Sequence, residues 1–174
     1  MYKSLIMKNL VILGAGTSGT MMANHLVSKL PKKDWKIHIV DQYKTHYYQP
    51  GFLFLPFDIY NENQVKKEGK KFIPKGVEYH QLKIEKIDAE NNLVELENGV
   101  LSYDILIIAT GSKIAPQEVE GMHSKAWRDT IFDFYTYEGA LALRNKLREF
   151  KEGKLVVHIT EMPIKCPVAP LEFA

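Results

Sequence analysis

The sequence holds a single cysteine, Cys166, so no internal disulfide is possible, and a small secreted domain stapled by bridges is excluded. A lone thiol suits a reducing, cytoplasmic setting. No apolar run approaches the roughly 20 residues that cross a bilayer. The opening segment, Met1–Met7, is too short in its apolar part for a signal peptide. There is little excess charge of either sign: 23 Lys and Arg stand against 21 Asp and Glu, and the lysines are scattered among acids. That balance gives no footprint for nucleic acid. What remains is ordinary for a soluble globular chain, with 45% hydrophobic and 25% charged residues in 174 positions. Such a length accommodates one good domain and part of another.

One stretch organises the rest. The apolar run Leu10–Leu13 leads directly into Gly14-Ala-Gly16-Thr-Ser-Gly19, and a helix-compatible stretch, Thr20–Leu30, follows. Gly14 suits a tight strand-to-helix turn, Gly16 lets a pyrophosphate approach the backbone, and Gly19 lets helix and strand pack closely. The phosphates would meet free amides at the positive end of the helix dipole. A second strand candidate, Lys36–Val40, ends on Asp41, 22 residues after Gly19, where a ribose hydroxyl needs an acceptor. The pattern predicts a dinucleotide site on an α/β, Rossmann-like domain.

Gln42–Pro56 is rich in aromatics, with Tyr43, His46, Tyr47, Tyr48, Phe52 and Phe54, and Pro50-Gly51 makes it a turn. Two roles fit: packing onto the domain, or a lid over a bound cofactor. Asn61–Lys71 reads as a short solvated helix. Val77–His80, Lys83–Asp88 and Asn92–Glu97 alternate in the manner of strands, with turns at Asn91-Asn92 and Glu97-Asn98-Gly99, and predict an antiparallel meander inserted at about 77–102. Ile105–Ile108 has the composition of a buried central strand and ends in the small residues Ala109-Thr110-Gly111. Tyr135–Lys151 is an amphipathic helix closed by Gly153, and Lys154–Thr160 reads as a further strand. The expected division is a nucleotide-binding domain over 1–112, then a linker and the start of a second Rossmann-like domain over 113–174.

After Thr160 the chain runs Glu161-Met-Pro-Ile-Lys165-Cys166-Pro167-Val-Ala-Pro-Leu-Glu172 without a glycine, so the backbone there does not make a second pyrophosphate turn. Pro167 suits the first turn of a helix, which places Cys166 near an N-cap, with Lys165 beside it; both features lower a thiol pKa. A redox thiol and a buried structural cysteine are the two readings. His25, His80, His123 and His158 are scattered without ligand spacing, and no metal is assigned.

Five segments together, Gly14–Gly19, Tyr48-Gln-Pro-Gly-Phe52, Tyr103–Gly111, Tyr135-Thr-Tyr-Glu-Gly-Ala140 and Pro163–Glu172, resemble the sulfide:quinone oxidoreductases. These belong to the FAD-dependent pyridine nucleotide-disulfide oxidoreductases, two-dinucleotide-binding-domain flavoproteins. The resemblance implies FAD held by Gly14, Gly16, Thr17, Ser18, Gly19, Asp41, Gln42, Gly51, Ala109, Thr110 and Gly111, with backbone at Lys83 and Ile84 meeting the adenine. It implies that hydrosulfide attacks a cysteine-borne sulfur bridge, that Cys166 is one of the bridging sulfurs, and that Glu172 serves proton transfer. Electrons then pass through flavin to a quinone. The second redox cysteine of the family is not in this sequence, which reads as an N-terminal portion. The remaining FAD contacts, the quinone pocket and a peripheral membrane anchor are expected in segments outside it, and a homo-oligomer would cover the apolar surface left open. No cysteine lies in Trp127–Tyr135, so the flavin is expected to be non-covalent. The alternatives are a relative of the type II NADH dehydrogenases, which the missing second glycine turn disfavours, and an inactive FAD-binding fragment.

Overall fold

The computed structural model describes residues 7–174, so the reading of the first residues as no signal peptide concerns residues outside that range. In chain order the elements are β1 (Lys8–Leu13), α1 (Thr17–Val27), β2 (Trp35–Val40), β3 (Thr45–Tyr47), α2 (Glu62–Val65), β4 (Lys66–Glu68), β5 (Val77–His80), β6 (Ile84–Asp88), β7 (Leu93–Leu96), β8 (Gly99–Ser102), β9 (Ile105–Ile108), α3 (Tyr137–Glu149) and α4 (Ala169–Phe173). They fall into two compact units, one made of the chain up to Tyr47 with Lys66–Ser112, the other of Tyr48–Val65 with Lys113–Ala174.

The first unit is built on a parallel sheet in the order β5-β2-β1-β9. Side chains of a strand alternate between faces, so β1 and β2 serve two cores at once. Leu10, Ile12, Ile37 and Ile39 pack on one face with Ala23 of α1. Val11, Leu13 and Val40 pack on the other with Val94 and Leu96 of the meander. Val11, Ile12 and Leu13 are fully buried, each side chain contributing about 2 kcal/mol by leaving water. This is why a short apolar run suffices to hold the glycine loop rigid. The β6-β7-β8 meander is antiparallel, as the alternation predicts.

Two expectations are corrected here. Val77–His80 is not a meander strand: it pairs in parallel with β2, from Ile37 opposite Val77 to Val40 opposite His80, so the meander begins at Ile84. Among the described residues Ile105–Ile108 is an edge strand rather than a central one, with β1 as its one strand neighbour. Ile105 and Ile108 are accordingly exposed.

The second unit gathers Leu53, Leu143 and Phe173 into a core with Phe54, Phe132, Phe134 and Leu147 around it. The aromatic Gln49–Phe54 segment is a 3-10 turn whose Gly51, Phe52 and Leu53 are buried within this unit, so packing accounts for it. Side chains from distant positions fasten it. Arg144 of α3 pairs with Glu62 at 2.9 Å, Arg148 with Asp58 at 2.6 Å, and the Tyr137 hydroxyl donates to Glu62 at 2.9 Å. Asn61–Lys71, expected as one helix, is instead the short α2, then β4 and a 3-10 turn, because Lys66–Glu68 pairs with β3. Thr136 caps α3, its hydroxyl accepting from the Gly139 amide at 3.0 Å. Lys154–Thr160, expected as a strand, is irregular and exposed, with Val156 74% accessible. A parallel strand forms only against neighbouring strands, and no named strand lies in this unit among the described residues. No helix among the described residues is long and apolar enough to cross a membrane.

Candidate functional site

The glycine loop is the built site of the first unit. Gly14 has φ +96°, and a Cβ there would stand 2.4 Å from the Ala109 carbonyl oxygen. A Cβ on Gly19 would fall 1.8 Å from the Gly14 carbonyl oxygen. Both glycines are therefore demanded by the protein itself. Gly16 differs: a Cβ there would meet no protein atom within 4 Å. Its bare backbone faces open space, where something external can approach.

Gly16 is also the N-cap of α1, which starts three residues earlier than the periodicity suggested. No side chain caps that end and no acidic residue lies in its first turn. Gly16, Thr17 and Ser18 are exposed. The first amides of the helix therefore present uncompensated donors and the positive dipole end to solvent, an arrangement suited to an anionic phosphate. Thr20 stiffens the turn from behind, its hydroxyl donating to the Gly16 carbonyl at 2.8 Å.

Asp41 lies at the end of β2 and joins this loop. One carboxylate oxygen accepts the Ala15 amide at 2.7 Å, the other the Tyr43 amide at 2.8 Å. A carboxylate offers about four lone-pair sites, so two remain for a hydroxyl from outside. The sequence indicates an acceptor at this place but not its second role as a brace of the loop. Gln42, next in the chain, is exposed. The Ala109–Gly111 turn follows β9, and the Ala109 amide donates to the Leu13 carbonyl at 2.7 Å, which sets this turn against Gly14. Two further residues brace the same region without a motif to announce them. A His46 ring nitrogen is 3.1 Å from the Ala15 carbonyl oxygen, and the Tyr79 hydroxyl donates to the Tyr43 carbonyl at 3.2 Å. Burial, then the Asp41 charge, holds the Tyr79 phenol above its ordinary pKa. The aromatic density after Asp41 is the sequence trace of His46 and of Tyr43, while Tyr79 lies outside it in β5.

Lys83 and Ile84 open the meander. The Lys83 carbonyl accepts the Glu97 amide at 3.0 Å, and its ammonium pairs with Glu85 at 3.0 Å. A bulge between Ile84 and Lys86 interrupts the ladder at this point. Gly51 belongs to the second unit, where a Cβ would come within 2.6 Å of Val65 Cγ1; close packing explains this glycine.

Cys166 and Glu172 are also in the second unit. Cys166 is exposed, with φ +54°, in a turn whose carbonyl accepts the Ala169 amide at 3.1 Å and the Tyr135 hydroxyl at 3.3 Å. It lies near the helix start as expected, two residues before the N-cap Val168, but Pro170 rather than Pro167 sits in the first turn of α4. Lys165 is engaged by the Gln49 side-chain carbonyl. Burial, with the Cys166 charge adding to it, raises the Tyr135 phenol pKa. Glu172 is exposed on α4, its amide bonded to the Val168 carbonyl at 3.0 Å.

A sheet of this order, with a glycine turn after its first strand and an acid at the end of its second, defines an α/β dinucleotide-binding oxidoreductase fold. The chain belongs to the pyridine nucleotide-disulphide oxidoreductase family, whose pattern matches residues 8–158. It is 27% identical over 163 residues to the mitochondrial sulfide:quinone oxidoreductase of Dictyostelium discoideum, covering 92% of this chain and 36% of that protein. A type II NADH:quinone oxidoreductase of Staphylococcus haemolyticus is 28% identical over 128 residues, covering 70% of this chain and 30% of its own length. Among solved structures, the sulfide:quinone oxidoreductase of the hyperthermophilic bacterium Aquifex aeolicus matches with a TM-score of 0.65 and 27% identity, over 82% of this chain and 32% of that one. The chain thus spans about a third of the length of these relatives.

Proposed function

We propose that this chain forms the FAD-holding portion of a flavoprotein oxidoreductase that oxidises sulfide through Cys166, with a quinone as electron acceptor. The observation that carries the cofactor assignment is the Gly16 backbone, open to solvent at an uncapped helix start and beside Asp41. In this reading the α1 amides and Gly16–Gly19 hold the pyrophosphate, and Asp41 keeps the loop closed while accepting a ribose hydroxyl. Gln42, Lys83 and Ile84 lie toward the adenine, and Ala109–Gly111 borders the same groove. Gly51 supports the second unit by packing. FAD supplies a two-electron store between sulfide and quinone when bound. Cys166 is the exposed sulfur that hydrosulfide chemistry requires, and Glu172 is the carboxylate proposed to move a proton near it. The second sulfur, the quinone pocket and the membrane-surface contacts belong to segments outside this sequence.

The NADH:quinone relatives support a second reading, oxidation of NADH by the same flavin fold. The glycine-free Glu161–Glu172 stretch weighs against it, since a nicotinamide dinucleotide lacks its pyrophosphate turn there. The test is an absorbance spectrum of the FAD-reconstituted chain, followed by sulfide and, separately, NADH, both without air. Bleaching by sulfide and not by NADH supports the first reading. Bleaching by NADH alone supports the second. Flavin that stays oxidised with both marks a FAD-binding fragment without a complete electron path.

A further inference from the structure

The histidines of the first unit hold a second arrangement, away from the glycine loop. β2 and β5 run in parallel with His38 opposite Glu78 and Val40 opposite His80. Residues two apart share a face of a strand, so His38, Glu78 and His80 gather on one side of the sheet edge. His38 Nδ1 lies 2.9 Å from His80 Nε2 and 3.4 Å from Glu78 Oε2; His80 Nε2 lies 4.0 Å from the same oxygen. A point equidistant from three atoms with these separations stands about 2 Å from each, the length of a zinc–nitrogen or zinc–carboxylate bond. From this we infer that His38, Glu78 and His80 form a binding site for a divalent first-row transition ion, zinc being the best match to two imidazoles and one carboxylate.

Burial supports the assignment on one side and access on the other. The His38 side chain is 6% accessible, that of His80 25% and that of Glu78 50%. The ion would enter past Glu78 and keep water in its remaining position, as three-ligand zinc sites do. Burial, then the neighbouring His80, lowers the His38 pKa from its ordinary value. The hydrogen bond from Lys36 holds the Glu78 carboxyl below its usual range. Lys36 takes the other oxygen of Glu78 at 2.9 Å and turns Oε2 toward the histidines. Its charge also opposes a cation, which limits affinity. The 2.9 Å imidazole edge is shorter than the ~3.3 Å between two ligands of a tetrahedral ion, so uptake would open this hydrogen-bonded pair slightly. The consequence is a clip between β2 and the edge strand β5, its β2 ligand three residues before Asp41. The three residues are separated by 40 positions of sequence, and only the strand pairing unites them.

The experiment is titration of the metal-free full chain with Zn2+ by calorimetry, and with Co2+ by visible absorbance. The expected result is one equivalent bound, with cobalt bands of nitrogen and oxygen ligation. Affinity should fall about tenfold or more in both His80→Ala and Glu78→Gln and be unchanged in Cys166→Ser. Circular dichroism and thermal unfolding establish that each variant is folded. Glu78→Gln is the conservative control, since it keeps shape and removes only the charge. No uptake by the wild-type chain overturns the site. Uptake that survives both variants, or that is lost in Cys166→Ser with sulfur-to-cobalt charge-transfer bands, overturns it equally.

Discussion

The glycine loop and the Cys166 turn are the two chemically marked places in this chain, and they are made differently. The first is a backbone site. Three fully buried strand residues lead into it, a carboxylate ties Ala15 to Tyr43, and the exposed Gly16 offers bare backbone at an uncapped helix start. The second is a side-chain site in an open stretch. Residues 151–163 and 165–168 are exposed, and the helix that follows has five residues. A backbone cradle is complete once its strand and helix are packed. A reactive thiol needs partners, and the sulfur that would pair with Cys166 is not in this sequence. In the proposed reading, cofactor binding rests on the first unit alone, while turnover also needs a second sulfur.

The sharpest way to break the comparison is within the glycines. Gly19→Ala puts a methyl 1.8 Å from a backbone oxygen, so it should cost about 4 kcal/mol or more and unfold the first unit, read by denaturant titration. Gly16→Val, with no protein atom within 4 Å of its Cβ, should fold normally and lose flavin. Equal stability of the two would remove the distinction between structural and ligand-facing glycines.

Next in size is the brace. Asp41→Ala leaves the Ala15 and Tyr43 amides without their charged acceptor, and should cost about 2 kcal/mol in stability with a larger loss of flavin affinity. In the second unit Arg144 is mostly buried and Glu62 is partly exposed; Arg144→Ala should cost about 1–2 kcal/mol, solvent screening tempering the loss. Cys166→Ser, on an exposed side chain, should leave stability within about 0.5 kcal/mol and abolish any reduction by sulfide. The smallest effect concerns Asp88. Its side chain accepts from Asn91, which lowers its pKa in the folded state. The stabilisation is present above the unfolded aspartate value and fades as pH falls through the folded one. Asp88→Asn should flatten that part of the acid unfolding curve.

The legible parts of the fold are those whose signal is local. Gly14–Gly19 followed by Asp41 indicates strand, turn, helix and strand, and all are present. The α3 periodicity and the hairpin turns of the meander are likewise contained within a few residues. What stayed hidden depends on pairing at a distance. Val77–His80 looks like its meander neighbours, and only its partner β2 makes it parallel. Ile105–Ile108 has a central strand's composition, but burial depends on a neighbour beyond β9. Leu155–Ile159 is apolar enough for a strand and stays irregular for want of a ladder. Glu62 and Asp58 carry no motif, yet with Arg144 and Arg148 they fasten Tyr48–Val65 to residues about 80 positions on. The Cys166 segment shows the complementary limit: its residue type is readable, while its positive φ, two residues before the helix cap, is not.

The most direct test of the central claim is a FAD titration of the wild-type chain beside Gly16→Val, followed by flavin fluorescence with unfolding monitored in parallel. One equivalent bound by the wild type and none by an equally stable Gly16→Val chain is the result predicted. A folded wild-type chain that takes up no flavin, or a Gly16→Val chain that binds it as well, would contradict the claim that this open backbone is the cofactor cradle.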